Sequence, residues 1–341
     1  MKTEHRQPLT AVTIGTFDGV HLGHAELLRR ARLAVGPEGR VVVLAFHPHP
    51  MSLIKPEAAP AALTTFDQRV RLLRRLGADE VVNLKPTRKL IGTDPFTFIQ
   101  DLVKHWRPAV FVEGADFRFG ARRAGDVEAL AQIGQQLDRV GQGFETIVLD
   151  PVEVALADGK LVTASSTLVR WLVERGRVDD AGRVLGRPYR VEGVVVKGDQ
   201  RGRTIGVPTA NVDTPNPLPA DAVYAGVAHL PDGSSRAAAI HVGPRATFSN
   251  DRRTLEAFVV DWRGPGSTSV EESPQYAYGW TIKLDVLAWL RDQVRYDSVD
   301  ALLEQMGRDI ERSGRIAQDH LRRSSAAPGT PPVVAQGAVS E

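Results

Sequence analysis

At 341 residues the chain is longer than one compact core usually organises, so two domains are expected. A hydrophobic fraction of 42% against 25% charged residues supplies enough apolar side chains for sizeable cores and excludes a chain that is disordered throughout. The formal net charge of +2 gives no polybasic surface for nucleic acid, and the lack of any Cys excludes disulfides, thiolate metal sites and a cysteine nucleophile. The start MKTEHRQPLT has no apolar signal core, and no later apolar run reaches membrane-spanning length, so a cytoplasmic protein with no membrane partner is expected.

Along the first half, short apolar runs alternate with amphipathic stretches. AVTIG from Ala11, VVVLAF from Val41, EVVNL from Glu80, AVFVEG from Ala109 and TIVLD from Thr146 read as strands. Helical periodicity occupies AELLRRARLAV after His24, FDQRVRLLRRL from Phe66, DPFTFIQDLVKHW from Asp94 and DVEALAQIGQQLDRV from Asp126. This alternation predicts an α/β fold with a doubly wound parallel sheet, whose ligands bind beyond the carboxyl ends of the strands. The turns after Gly15, Phe46 and Gly114 should then face one crevice.

A helical stretch from Ser166 to about Leu185 precedes a change of pattern. VEGVVVKGD, VYAGVAHL, AAAIHVG, LEAFVVDW and WTIKLDVLAWL follow without intervening helices, which predicts an antiparallel sheet or small β-barrel. A helix from Ser298 should cover one end of it. The expected division is therefore 1–185, 186–322 and a Ser, Ala, Pro and Gly-rich disordered tail over 323–341.

The segment TIGTFDGVHLGHAELL from Thr13 carries the clearest chemistry. A strand ends at a Gly-containing turn, and His21 and His24 bracket the start of a helix, where free N–H groups and the positive dipole end attract phosphate. Gly23 permits close backbone approach, and two imidazoles can stabilise charge building on a transferring phosphorus. Taken alone, such a pair is also an ordinary solvated helix cap. A zinc site is disfavoured because the turn offers no carboxylate or Cys at useful spacing.

The string GTFDGVHLGH closely resembles the adenylyltransferase signature of bifunctional riboflavin kinase/FMN adenylyltransferases, the prokaryotic FAD synthetases. FHPHP from Phe46, GADFRFG from Gly114 with RRAGD from Arg122, and SSTLVR from Ser165 resemble further family motifs in the same order. The resemblance implies catalytic His21 and His24. It also implies ATP contacts from Gly15, Phe17, Asp18, Gly23, Ser165, Ser166, Thr167 and Arg170, and FMN contacts from His49, Asp116, Phe117, Arg118 and Asp126. In the second half GDQRGRTIGVPTANVD from Gly198 resembles the riboflavin kinase motif. By that resemblance Gly198, Arg201, Gly202, Gly206 and Pro208 contact ATP or flavin, Thr209 and Asn211 ligate Mg²⁺, and Glu256 is the catalytic base.

The implied function is phosphorylation of riboflavin to FMN by ATP, then adenylylation of FMN to FAD by a second ATP. ATP and flavins are the implied partners, and homo-oligomers are compatible with the family. Three departures stand out: Ala246 within RATF where the family has Pro, Ala222 where it has Gly, and a longer segment over 263–277. They leave two alternatives open, a single-activity adenylyltransferase with a degenerate kinase half and a flavin- or nucleotide-binding regulator. Thr16 stands where Asn is common, a change that keeps hydrogen-bonding capacity.

Overall fold

The computed structural model describes residues 8–198, 207–244, 253–262 and 278–326. Two compact units emerge from the packing: Met1–Glu153 with Thr163–Ser166, and Val154–Val162 with Thr167–Glu341.

The first unit is built on β1 (Thr10–Gly15), β2 (Arg40–Phe46), β3 (Glu80–Leu84), β4 (Val110–Gly114) and β5 (Glu145–Leu149), paired in parallel in the order β3-β2-β1-β4-β5. The inner strands β1 and β2 are buried over nearly their whole length, as expected of parallel strands covered on both faces. Helices α1 (Leu22–Val35), α2 (Met51–Ile54), α3 (Phe66–Arg75), α4 (Arg88–Ile91), α5 (Pro95–Trp106) and α6 (Val127–Asp138) complete the unit. Phe98, Ile99 and Val103 of α5 and Leu130, Ile133 and Leu137 of α6 pack with Ile14, Leu44 and Phe111 of the sheet. The opposite face takes Leu28 of α1 and Leu73 of α3 against Val43 and Ala45, and Ala31 and Val35 of α1 against Val41 and Val112. The predicted doubly wound α/β sheet is therefore present.

Local chemistry fixes the helix starts. Thr65 and Gln68 exchange side-chain-to-backbone hydrogen bonds in a capping box at α3, and Asp94 caps α5 ahead of Pro95. β1 and β4 pair only at Ala11↔Val110 and Val12↔Phe111, so they part toward their carboxyl ends. That is where the strand order reverses, the position at which open α/β sheets form a ligand crevice.

Beyond β5 the chain forms the hairpin of β6 (Glu153–Ala155) and β7 (Leu161–Thr163), then α7 (Ser166–Glu174) and α8 (Val178–Leu185). The predicted single helical stretch is broken at Gly176, whose φ of 71° lies in the left-handed region. The second unit closes β8 (Tyr189–Val196), β9 (Ala210–Asp213), β10 (Ala222–His229), β11 (Ser235–Pro244), β12 (Arg253–Val259) and β13 (Thr281–Arg291) into a barrel, ordered β10-β11-β12-β9-β8-β13. Strand β9, the ANVD of the second motif, is too short to read as a strand from periodicity, yet it closes the barrel by joining β8 to β12.

The last helix, α9 (Val299–Ala326), lies over the barrel; Ile316 packs on Val223, Ala225 and Leu290, and Arg291 pairs with Asp309 at 2.8 Å. Its helical turns continue through Ala326, past residue 323 where the tail was expected to begin; 327–341 lie outside the described residues. Among the described residues no helix is long and apolar enough to cross a membrane.

Candidate active sites

In the first unit the turn after β1 departs from ordinary backbone conformation. Phe17, Gly19 and Val20 have φ of 49°, 75° and 47°. Only Gly adopts that region without a steric penalty, so Phe17 and Val20 are held there by their surroundings. Both side chains are buried with Leu28, Val43 and Leu73. The Asp18 carboxylate, buried between them, accepts from Leu63 N–H (2.9 Å), Thr64 N–H (3.1 Å), Thr64 Oγ1 (3.0 Å) and Arg69 Nη2 (3.0 Å). Arg69 also donates to the carbonyls of Thr16 (2.6 Å) and Phe46 (3.2 Å), linking the carboxyl ends of β1 and β2. Asp18, expected at the nucleotide, is thus engaged in holding the turn's shape. Sequence reasoning does not single out Arg69, because it is one of four arginines on the amphipathic α3 and such residues read as solvent-facing.

That turn delivers His21 to the start of α1 and His24 one turn in. Their rings stack with centroids 3.7 Å apart and planes inclined by 26°. His21 N–H donates to His24 Nδ1 at 3.3 Å, which makes Nδ1 the acceptor and leaves the proton of neutral His24 on Nε2. No acidic residue occupies the first turn of α1, so its positive end is uncompensated by the helix's own side chains. A Cβ on Gly23 would sit 3.1 Å from the His21 ring, so glycine keeps that imidazole in place. Ser166 Oγ donates to the carbonyl of Asp18 at 2.8 Å, which ties the start of α7 to the same turn. Thr167 and Arg170 follow on α7 and are counted with the second unit.

On neighbouring strand ends, Gly114 leads into a turn closed by Phe117 N–H to Gly114 O at 2.9 Å, and Phe117 stacks on Phe119 with centroids 5.3 Å apart. Arg118 is exposed and turned onto the Phe117 carbonyl, while Asp126 caps α6 through Ala129 N–H at 3.0 Å. His49 Nδ1 accepts from Met51 N–H at 3.1 Å. His47 stacks on Phe66, and burial followed by the nearby Arg69 lowers its pKa. Glu113, fully buried at the parting of β1 and β4, accepts from Ile14 N–H at 2.7 Å. Desolvation, helped by Asp116 and opposed by that hydrogen bond, raises its pKa well above the carboxylate range. Its position in an apolar strand gave no sequence signal beyond the single charge.

In the second unit β9 and β12 pair with Asn211 opposite Glu256, and Thr209 Oγ1 donates to Glu256 Oε2 at 3.0 Å. The structure therefore brings Thr209, Asn211 and Glu256 together across two strands. Gly198 lies so close to the Asn211 amide that a Cβ there would overlap it. Pro208 directly precedes this cluster; Arg201, Gly202, Gly206, Ala246 and the 263–277 segment lie outside the described residues. His241 stands opposite Glu256 on β11, a neighbour that only strand register reveals.

Fold and sites together define a nucleotidyltransferase-type α/β unit and a barrel kinase unit in one chain. The FAD synthetase family pattern matches residues 3–157 and the riboflavin kinase pattern residues 185–317. A bifunctional riboflavin kinase/FMN adenylyltransferase of Escherichia coli (strain K12) is 34% identical, covering 87% of this chain and 90% of its own length. The chain belongs to the bifunctional riboflavin kinase/FMN adenylyltransferase family. The Bacillus subtilis (strain 168) protein of the same name is 28% identical and covers 92% of this chain and 94% of its own. A crystal structure of a macrolide-efflux protein from Streptococcus pneumoniae matches with TM-score 0.76 at 29% identity, over 91% of this chain and 95% of that one. The efflux name belongs to that protein; what is shared is the fold.

Proposed function

We propose that the family's two activities divide between the two units, with His21 and His24 serving adenylyl transfer and Glu256 serving phosphorylation. The protein phosphorylates riboflavin to FMN with ATP and adenylylates FMN to FAD with a second ATP, releasing pyrophosphate. The observation that most supports the division is that each constellation assembles within one unit: the stacked histidines at the head of α1, and Glu256 of β12 opposite Asn211 of β9 and hydrogen-bonded to Thr209 just ahead of that strand.

For adenylyl transfer, an FMN phosphate oxygen attacks the α-phosphorus of ATP and the bond to the β-phosphate breaks. Charge grows on the oxygens around both phosphorus atoms. The uncompensated start of α1 and the Nε2–H of His24 are donors fitted to that charge, and none of them forms a covalent intermediate. In this reading Asp18 acts through the turn it holds, while Ser165 and Ser166 supply phosphate contacts. Asp116, Phe117 and Arg118 receive the flavin from the neighbouring strand end, and Asp126 and His49 support the loops.

For the kinase step, Glu256 accepts the proton of the terminal ribityl hydroxyl as its oxygen attacks the γ-phosphorus and the bond from that phosphorus to the β,γ-bridging oxygen breaks, releasing ADP. A divalent ion fits the donors present. Thr209 commits its one hydroxyl proton to Glu256, so its lone pairs are available, and the amide of Asn211 is confined by Gly198. Two neutral oxygens completed by ATP phosphates and water suit Mg²⁺, which when bound neutralises phosphate charge. A cytoplasmic location is part of the proposal, supported by the bacterial relatives.

The test is a chromatographic product assay of the purified protein with ATP and Mg²⁺, given riboflavin or FMN. FMN and FAD from riboflavin are expected. FAD from FMN with nothing from riboflavin would instead mean an adenylyltransferase with a degenerate kinase half, and no product from either would mean a binding protein.

A further inference from the structure

The row of side chains that carries Glu256 continues beyond it. β12 pairs with β9 on one side and with β11 on the other, so Asn211, Glu256 and His241 stand opposite one another in register. Side chains in such a row project from the same face, with Cβ atoms about 4.5–5.5 Å apart. Burial alternates along the strands: Ile240, Val242, Leu255 and Ala257 are buried, while His241 and Glu256 are only partly so. Val223, next in register after His241, packs against Ile316, so this row lies on the barrel face that α9 partly covers.

The charged groups acting on His241 are Glu256 from β12, Arg291 from β13 and Asp221 at the foot of β10. Two of these are already matched: Arg291 pairs with Asp309 of α9 at 2.8 Å, and Asp221 with Arg253 at 2.6 Å. Glu256 is different. Its hydrogen bond from Thr209 uses Oε2, and among the described residues no cation forms an ion pair with it.

We propose that His241 is a positioning residue for riboflavin phosphorylation, presenting a ring N–H to the side of the Glu256 carboxylate that Thr209 does not hold. A carboxylate bonded on one side swings about its last side-chain torsion. Held by Thr209, just ahead of β9, and from β11, it keeps a fixed lone pair toward the ribityl hydroxyl, and near-attack geometry of this kind contributes to turnover rather than to binding. The assignment rests on Glu256 being the kinase base.

The experiment compares His241→Gln with His241→Met in the full chain, side chains of similar size of which only the first keeps an N–H donor. FMN formation is measured from riboflavin and MgATP, and FAD formation from FMN in the same preparation reports on the other unit. His241→Met is expected to lower kcat for FMN formation on the order of tenfold, with KM for riboflavin and ATP unchanged, while His241→Gln recovers most of it. In a Glu256→Gln background the Met substitution should cost nothing further. Equal activity of the Gln and Met variants, or an undiminished loss in that background, overturns the proposal. If Glu256→Gln alone leaves FMN formation intact, the base assignment itself fails. If Glu256→Gln is impaired while His241→Met is not, only the role of His241 falls.

Discussion

At the scale of single residues, two buried acids in the first unit behave in opposite ways. Asp18 is matched to a partner: Arg69 and three further donors surround it, with both side chains almost fully buried. Removing one member of such a pair leaves an uncompensated buried charge, so Asp18→Ala should destabilise the first unit by roughly 3–5 kcal/mol, read from urea unfolding. Among the described residues Glu113 meets no cation; it accepts from the Ile14 N–H, and its pKa is raised by burial. A carboxyl with a raised folded-state pKa contributes stability below the unfolded-state value, about pH 4.3, and loses it as pH climbs toward the folded value. Glu113→Gln keeps an oxygen for Ile14 and removes the ionisable group. Its unfolding free energy should exceed that of the parent at pH 8 and differ least at pH 4, which urea titrations at the two pH values will measure. Neither behaviour was legible in the sequence. The family resemblance implied an ATP contact for Asp18, and the partners that hold it in the structure, Leu63, Thr64 and Arg69, sit too far along the chain to be read from the motif.

At the scale of elements, the strands and helices of the α/β half were legible because buried parallel strands are near-continuous apolar runs and their helices carry strong periodicity and caps. The short pieces were not: β6, β7, β9, α2 and α4 are too brief for a period to register. Yet β9 is what seats Asn211 beside Glu256, so the motif was readable while the strand that makes it work was hidden. The close packing of Gly198 on Asn211 gives a test at this scale. Gly198→Ala must push the amide aside, and KM for MgATP in the kinase reaction should rise with FAD formation from FMN unchanged. At the head of α1, replacing His21 and His24 together by Ala should lower FAD formation by about 10²-fold or more, the scale of losing preorganised donors, with FMN formation retained. Steady-state rates from riboflavin and from FMN on the same sample decide it.

At the scale of the whole molecule, both architectures follow from the change of pattern near residue 186, but compact packing does not divide the chain at that point. α7 and α8 belong with the barrel: the Val173 carbonyl accepts from Ala220 N–H at 3.3 Å, and Gly176 lies against the Tyr224 hydroxyl. The chain also leaves the first unit after Glu153, returns for Thr163–Ser166 and leaves again. A kinase fragment beginning at residue 186 should therefore unfold at lower urea than one beginning at Val154, since it strips the barrel of two helices. No single scission, by protease or by gene engineering, yields both halves whole. Shuffling these activities between proteins requires a shared seam in which one segment is duplicated, or a second, compensating join.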